Sequence, residues 1–125
     1  MPPRFLIVLD DEPLILRAYG RAAQLLSIPV EMCRSAEEAL SLLTRPGAAG
    51  LATDYQLAEG TSLPVIRAAR TRVPPLPVVL VSGNGRKARD AVELAGMEVP
   101  IVAKPVMVRE VLAELWQRAN SPSGG

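Results

Sequence analysis

The sequence predicts a single α/β domain, a doubly wound parallel sheet of five strands covered by helices on both faces. Three observations predict it. Apolar runs of strand length alternate five times with segments of helical period. Two of the runs, "FLIVL" (5–9) and "PVVLVS" (77–82), are uncharged and apolar up to the closing serine, as strands buried on both faces must be. The length of 125 residues suits one compact domain and no more.

The elements follow in order. After the first strand, a helical face is set by Ile15, Tyr19, Ala22 and Leu26. "VEMC" (30–33) is a weaker second strand, placed at an edge. Ser35 and Glu38 form an S-x-x-E capping box, opening a helix with Ala36, Ala39, Leu40 and Leu43 inward. "LATD" (51–54) is a short third strand. The loop "YQLAEG" leads to a helix with Leu63, Ile66 and Ala69 facing in. The β-branched "PVVLVS" is the clearest strand of all. A helix with Ala88, Val92 and Ala95 inward follows, closed by Gly96. "VPIVA" (99–103) is the fifth strand, and Val108, Val111, Leu112 and Leu115 mark the last helix. The domain is expected over 1–120, with 121–125 a flexible tail.

Composition narrows the chemistry. Nearly half the chain is hydrophobic but only 3% is aromatic, so Leu, Val, Ile and Ala must build the core. Fourteen basic against thirteen acidic residues give a formal charge of +1, with no electrostatic footprint for nucleic acid or an anionic membrane. One cysteine, Cys33, excludes an intramolecular disulfide and reads as a small buried hydrophobe. The absence of histidine removes the commonest metal ligand and general base. Neither a signal peptide nor a membrane span is visible, and the chain is read as cytoplasmic.

In parallel sheets, ligands bind outside the carboxyl ends of the strands. Asp10 and Asp11 follow the first strand, Asp54 ends the third, Ser82 the fourth and Lys104 the fifth. Three carboxylates, a hydroxyl and an ammonium are thus expected on one rim. Two like charges about 4 Å apart at an effective dielectric near 20 repel by roughly 4 kcal/mol, which a dication and the lysine would offset. Hard oxygen donors without histidine suit Mg2+ or Mn2+.

The motifs "LDDE" (9–12), "TDYQL" (53–57), "VSG" (81–83) and "AKP" (103–105) resemble those of response regulator receiver domains, the phospho-accepting modules of two-component signalling. The likeness runs from Phe5 to Ala119. Spacings of 43 residues from Asp11 to Asp54, 28 on to Ser82 and 22 on to Lys104 suit that family. The resemblance implies a flavodoxin-like (βα)5 fold with strand order 2-1-3-4-5. It implies that Asp54 accepts a phosphoryl group from a histidine kinase or phosphotransfer protein. Asp10, Asp11, Asp54 and the backbone carbonyl of Gln56 would hold Mg2+, and Ser82 and Lys104 would contact phosphoryl oxygens. Pro105 stands where the family often has a cis peptide bond. Such a domain is a signalling module, not an enzyme in the ordinary sense, and acts through a downstream partner. A homodimer through the last helix–strand–helix face is a further expectation. "TDYQL" and "AKPV" look more like receivers attached to sensor kinases, or standing alone, than like those of transcription factors.

The sequence departs from the pattern in three places. Ile101 replaces the usual aromatic three residues before the lysine, so it cannot pass a hydrogen bond outward. Ala58 and Ser62 replace a usual Pro and Gly after Asp54, with Gly60 available for a positive-φ turn. Gln56 and Asn84 occupy the variable positions that flank the phosphoryl site. These departures keep a second reading in play, a phosphorylation-independent scaffold or dimerisation module. Two further classes lack their marks. A flavodoxin-like cofactor protein wants a hydroxyl-rich phosphate loop with flanking aromatics, and a Mg-dependent phosphohydrolase wants D-x-D after the first strand. Taken singly, each rim residue has a simpler use: Asp11, Glu12 and Pro13 could merely start a helix. Four such accidents at the ends of four strands are much harder to accept.

Overall fold

Strict alternation of side chains along the strands builds two cores at once. The computed structural model describes residues 2–121, so the expected tail at 121–125 lies outside the described residues except for Ser121. On β1 (Phe5–Leu9), Phe5, Ile7 and Leu9 face one side of the sheet while Leu6 and Val8 face the other, and all five are buried. The chain continues through α1 (Pro13–Leu26), β2 (Val30–Cys33), α2 (Ala36–Leu43) and β3 (Ala48–Asp54). A two-residue hairpin, β4 (Gln56–Leu57) with β5 (Gly60–Thr61), precedes α3 (Leu63–Thr71). Then come β6 (Val78–Ser82), α4 (Gly85–Leu94), β7 (Ile101–Ala103) and α5 (Val108–Ala119).

The main sheet is parallel with order β2-β1-β3-β6-β7. Setting the small hairpin aside, this is the 2-1-3-4-5 order expected, and the fold class stands as predicted. Helices α2, α3 and α4 cover the face of Ile7, Leu51 and Leu80, through Ala39, Leu43, Ile66, Ala88 and Val92. Helices α1 and α5 cover the face of Leu6, Val8, Ala52 and Val79, through Leu16, Tyr19, Leu112 and Leu115. Burying a Leu or Val side chain contributes roughly 1.5–3 kcal/mol, so these two layers dominate the stability.

The two flanks of β3 are unequal. On one side β1 pairs β3 at five positions and β2 pairs β1 at four. On the other, β6 pairs β3 at four and β7 pairs β6 at three. Four residues of α1 are buried, but only Ala88 and Val92 of α4.

Several sequence expectations shift. Strand β3 starts at Ala48, three residues earlier than expected, because it pairs with Phe5 and Leu6. The α1 stripe runs through Leu16, Tyr19, Ala22 and Ala23; Leu26 is exposed and Ile15 only half-buried. On α2, Leu40 is exposed and Leu42 packs on the core instead. Leu63 and Ala95 are half-buried, and Val65 joins Ile66 and Ala69 inside α3. The "YQLAEG" loop contains the β4–β5 hairpin, with Gly60 at φ +130°. Gly96 has φ +72° just past α4, the left-handed cap expected of it. The Ser35 hydroxyl accepts the Glu38 N–H at 3.2 Å, as a capping box requires; the Glu38 carboxylate, however, accepts from Arg34 N–H one residue before the cap.

At the amino end of the sheet, Phe5 N–H donates to the Gly47 carbonyl at 3.0 Å. A Cβ at Gly47 would collide with the Pro3 carbonyl, so only glycine lets the two backbones meet there. Peptide bonds Val73–Pro74 and Lys104–Pro105 are cis, the second as the resemblance implied.

Candidate functional site

Parallel strands put their carboxyl ends on one side, and the predicted rim forms there. The last residue of β3, Asp54, pairs in register with Val81, and Ser82, the last of β6, pairs with Ala103 at the end of β7. The Lys104 N–H donates to the Ser82 carbonyl at 2.9 Å, which fixes the lysine's backbone beside its neighbour strand. Its Nζ then reaches across to donate to Asp54 Oδ2 at 2.9 Å. Asp54 is 6% exposed and Asp10 4%, whereas Asp11 is half-buried.

One oxygen from each of Asp10, Asp11 and Asp54 lies within 4.8 Å of the other two. Burial pushes the Asp10 carboxyl above its ordinary value, and the nearby charges of Asp54 and Glu12 add to this. The Glu12 N–H, donated to Asp10 Oδ1 at 2.9 Å, and the Lys104 ammonium pull the other way without cancelling it. Burial pulls Lys104 down, yet its hydrogen bond to Asp54 and the acid charges outweigh that and hold it above the usual range. The site thus holds more negative charge than one lysine neutralises. Its donors are all carboxylate oxygen, and the set fits a hard divalent cation and no thiolate- or imidazole-loving metal.

The other predicted residues fall around this core. The Ser82 hydroxyl is buried and accepts the Asn84 N–H at 3.0 Å. Asn84 caps α4 by accepting the Lys87 N–H at 3.1 Å, which offsets the basic start of that helix. Gln56 lies on β4, two residues past Asp54, and its side-chain amide donates to the Gly60 carbonyl at 3.2 Å. Ile101 is half-buried against the α4-side core. At the start of α1, Asp10 rather than Asp11 or Glu12 supplies the side-chain acceptor; Glu12 makes no capping bond of its own.

Two residues near the rim were not assigned to it from sequence. Tyr19, read only as core, has its phenol raised by burial, with the charges of Asp10 and Asp54 adding. Arg34 follows β2 and donates to the Asp11 carbonyl at 3.4 Å. Tyr19 gives no polar signal in an apolar stripe. Arg34, at the end of the second strand, reads from sequence as lying away from the site on an edge, yet β2 pairs directly with β1 and brings it to Asp11.

A doubly wound sheet with buried acids, a hydroxyl and a paired lysine at its carboxyl end is the arrangement that the resemblance to receiver domains implied. The chain resembles the acid tolerance regulatory protein ActR of Rhizobium meliloti (strain 1021), 32% identical over 120 residues, which are 94% of this chain and 60% of that protein. It therefore spans about three-fifths of the length of that curated relative. Among solved structures, a response regulator receiver protein from Sinorhizobium medicae WSM419 superposes with a TM-score of 0.79 at 22% identity, covering 95% of this chain and 96% of that one. A sensor protein from Polaromonas sp. JS666 superposes with a TM-score of 0.78 at 23% identity, covering 95% and 98%. No protein-family model matches the chain. Fold and sequence likeness together align the chain with solved response regulator receiver domains and with the regulatory protein ActR. Among the described residues no helix is long and apolar enough to cross a membrane.

Proposed function

We propose that the chain is a phospho-acceptor switch in a cytoplasmic phosphorelay, with Asp54 as the acceptor. The observation that carries this reading is the placement of Asp54, buried between two further carboxylates and the Lys104 ammonium. A phosphohistidine of a histidine kinase or phosphotransfer protein is the donor. An Asp54 oxygen bonds phosphorus as the phosphorus–nitrogen bond breaks, and the imidazole leaves. Positioning and charge neutralisation matter more here than covalent help. Lys104 pairs with a phosphoryl oxygen, and the Ser82 hydroxyl donates to another. Asp10, Asp11, Asp54 and the Gln56 carbonyl would hold Mg2+, which supplies the positive charge that the lysine alone does not. The added phosphoryl charge, about −1.5 to −2 by analogy with other phosphates, biases which downstream protein the domain binds.

Incubation with acetyl phosphate and Mg2+, followed by intact-mass measurement, tests the reading. The expected result is a gain of one phosphoryl group that disappears in Asp54→Ala. No gain with acetyl phosphate or phosphoramidate overturns it.

One observation favours a second reading. Ile101 has no polar atom, so the hydroxyl–aromatic relay from Ser82 cannot run in its usual form. A phosphorylation-independent scaffold, dimerising through the α4–β7–α5 face, would keep the same light-scattering mass with and without acetyl phosphate.

A further inference from the structure

The opposite end of the sheet carries a second concave site, which neither the family resemblance nor the acidic rim accounts for. A cleft of about 730 Å³ opens at the amino ends of β3, β6 and β7, beside Ala49, Val78 and Pro100. It is closed by the 74–77 loop, the 98–100 loop and the carboxyl end of α5. This volume is that of a small-molecule site.

Three arginines line it, from three separate parts of the chain: Arg4 before β1, Arg70 on α3 and Arg118 on α5. Each is anchored by the protein at one edge of its guanidinium. Arg4 donates to the Asn120 side chain and the Ala119 carbonyl, both at 2.6 Å. Arg70 donates to the Leu76 carbonyl at 3.0 Å. Arg118 pairs with Glu114 at 3.0 Å, and both partners are about half exposed, so the pair is weak and easily exchanged. A guanidinium has five N–H donors, so most remain available to a ligand.

The walls do not compete for that role. Pro74, Pro75, Pro77 and Pro100 line the cleft and have no backbone N–H to offer. The carbonyls of Pro77 and Pro100 already accept the N–H groups of Leu51 and Leu80. The guanidiniums are the cationic donors that line the cleft, and their planar forks match carboxylate and phosphate oxygens. Among the described residues Glu98 is the one acid that lines the cleft, and with Glu114 paired to Arg118 the three arginines keep a net charge near +1.

We infer that this cleft binds a small organic anion with two or more carboxylate or phosphate groups and an apolar body that packs on the proline walls. Once a ligand group takes the place of Glu114 on Arg118, whose mutual pair is half exposed, Arg4, Arg70 and Arg118 against Glu98 match a ligand charge near −2. Val78 in the cleft and Ser82 at the acidic rim lie four steps apart along β6, about 13 Å at the usual rise per residue. The two sites therefore do not share a ligand.

The test uses the full 15N-labelled chain without divalent cations, titrated separately with citrate and pyrophosphate at ionic strength held constant with NaCl. Saturable shifts of the Val78 and Val99 amides and of the three arginine Nε–H signals are expected with at least one probe. Citrate alone identifies carboxylates as the ligand chemistry, and pyrophosphate alone identifies phosphates. Arg70→Gln and Arg118→Gln should each weaken binding roughly tenfold, the usual effect of losing a charge-assisted hydrogen bond. Arg118→Gln, at an exposed position, keeps the test valid if Arg70→Gln misfolds. No shift with either probe, shifts at the Asp54 rim instead, affinity unchanged by Arg118→Gln, or binding of a poly-glutamate peptide alone would each overturn the inference.

Discussion

The two ends of the sheet handle charge in opposite ways. At the carboxyl end, short side chains sit on or next to the last strand residues, and Asp10 and Asp54 are almost completely buried. Their spacing is set by the strand ladder, so repulsion cannot be relieved by moving apart. At the amino end the charged groups are long arginines from the segment before β1 and two helices, half-exposed to exposed and steadied by carbonyls, a carboxamide or a carboxylate. What is fixed there is the backbone, through the Gly47–Phe5 hydrogen bond and the close approach to Pro3. The carboxyl end is rigid in its side chains and costs stability; the amino end is rigid in its main chain and adaptable in its charges.

The largest effect that probes this contrast belongs to the amino end. Gly47→Ala forces the new methyl into the Pro3 carbonyl, and backbone has little room to yield. Urea unfolding should show a loss of about 3 kcal/mol, at the upper end of overpacking effects. A loss near zero would mean the amino end is as adaptable in its backbone as in its arginines.

The next effect has the opposite sign. Asp10 has a raised carboxyl pKa in the fold, so its contribution to stability is full below the unfolded value of 3.8 and declines as pH rises through the folded one. At neutral pH without divalent cations, ionised Asp10 is therefore a burden. Asp10→Asn keeps an acceptor for the Glu12 N–H and should raise stability by roughly 0.5–2 kcal/mol, with a smaller increase in Tm on adding Mg2+. Thermal melts of both proteins at pH 7, with and without Mg2+, decide it; a lower Tm in the cation-free variant would refute the view that this rim costs stability.

The smallest effect concerns the edge strand beside the rim. Burial, with the charge of Glu38 adding, pushes the Cys33 thiol up to about 12 from 9.0. The stability it lends is complete below pH 9 and lost as pH climbs from 9 toward 12. Between pH 9 and 10, Cys33→Ala should therefore lose stability with pH less steeply than the unsubstituted protein. Native Cys33 should also react with a disulfide reagent at pH 8.5 far more slowly than the same chain in urea.

What could be read from the sequence follows the same division. The acidic rim was legible because parallel strands force their carboxyl ends to one side, so four short motifs had one place to meet. Strands β1 and β6 were legible because burial on both faces leaves no charged residue, and only the closing Ser82 as a polar one, to blur them. The start of β3 was not, since Ala48, Ala49 and Gly50 have little strand preference and are recruited by pairing with Phe5 and Leu6. Leu26 and Leu40 misled because alanines share the true helix stripes and give weak signals; Ala22 and Ala23 are buried while a larger leucine beyond them is not. The β4–β5 hairpin has two residues per strand, too few for any period. Arg4, Arg70 and Arg118 are scattered over the chain and converge only once the fold is made.

The unequal pairing on the two sides of β3 gives the domain a mechanical polarity. Asp54 ends the middle strand, so any load applied there is offered equally to both neighbours by connectivity. It is not shared equally, because the β1–β2 side is clamped by more ladder positions and by the four buried residues of α1. The β6–β7 side, with three pairs at its edge and a thinly anchored α4, is the compliant one. Fewer ladder positions and fewer buried helix residues therefore resist a displacement on the Ile101 and α4 side of Asp54 than on the α1 side.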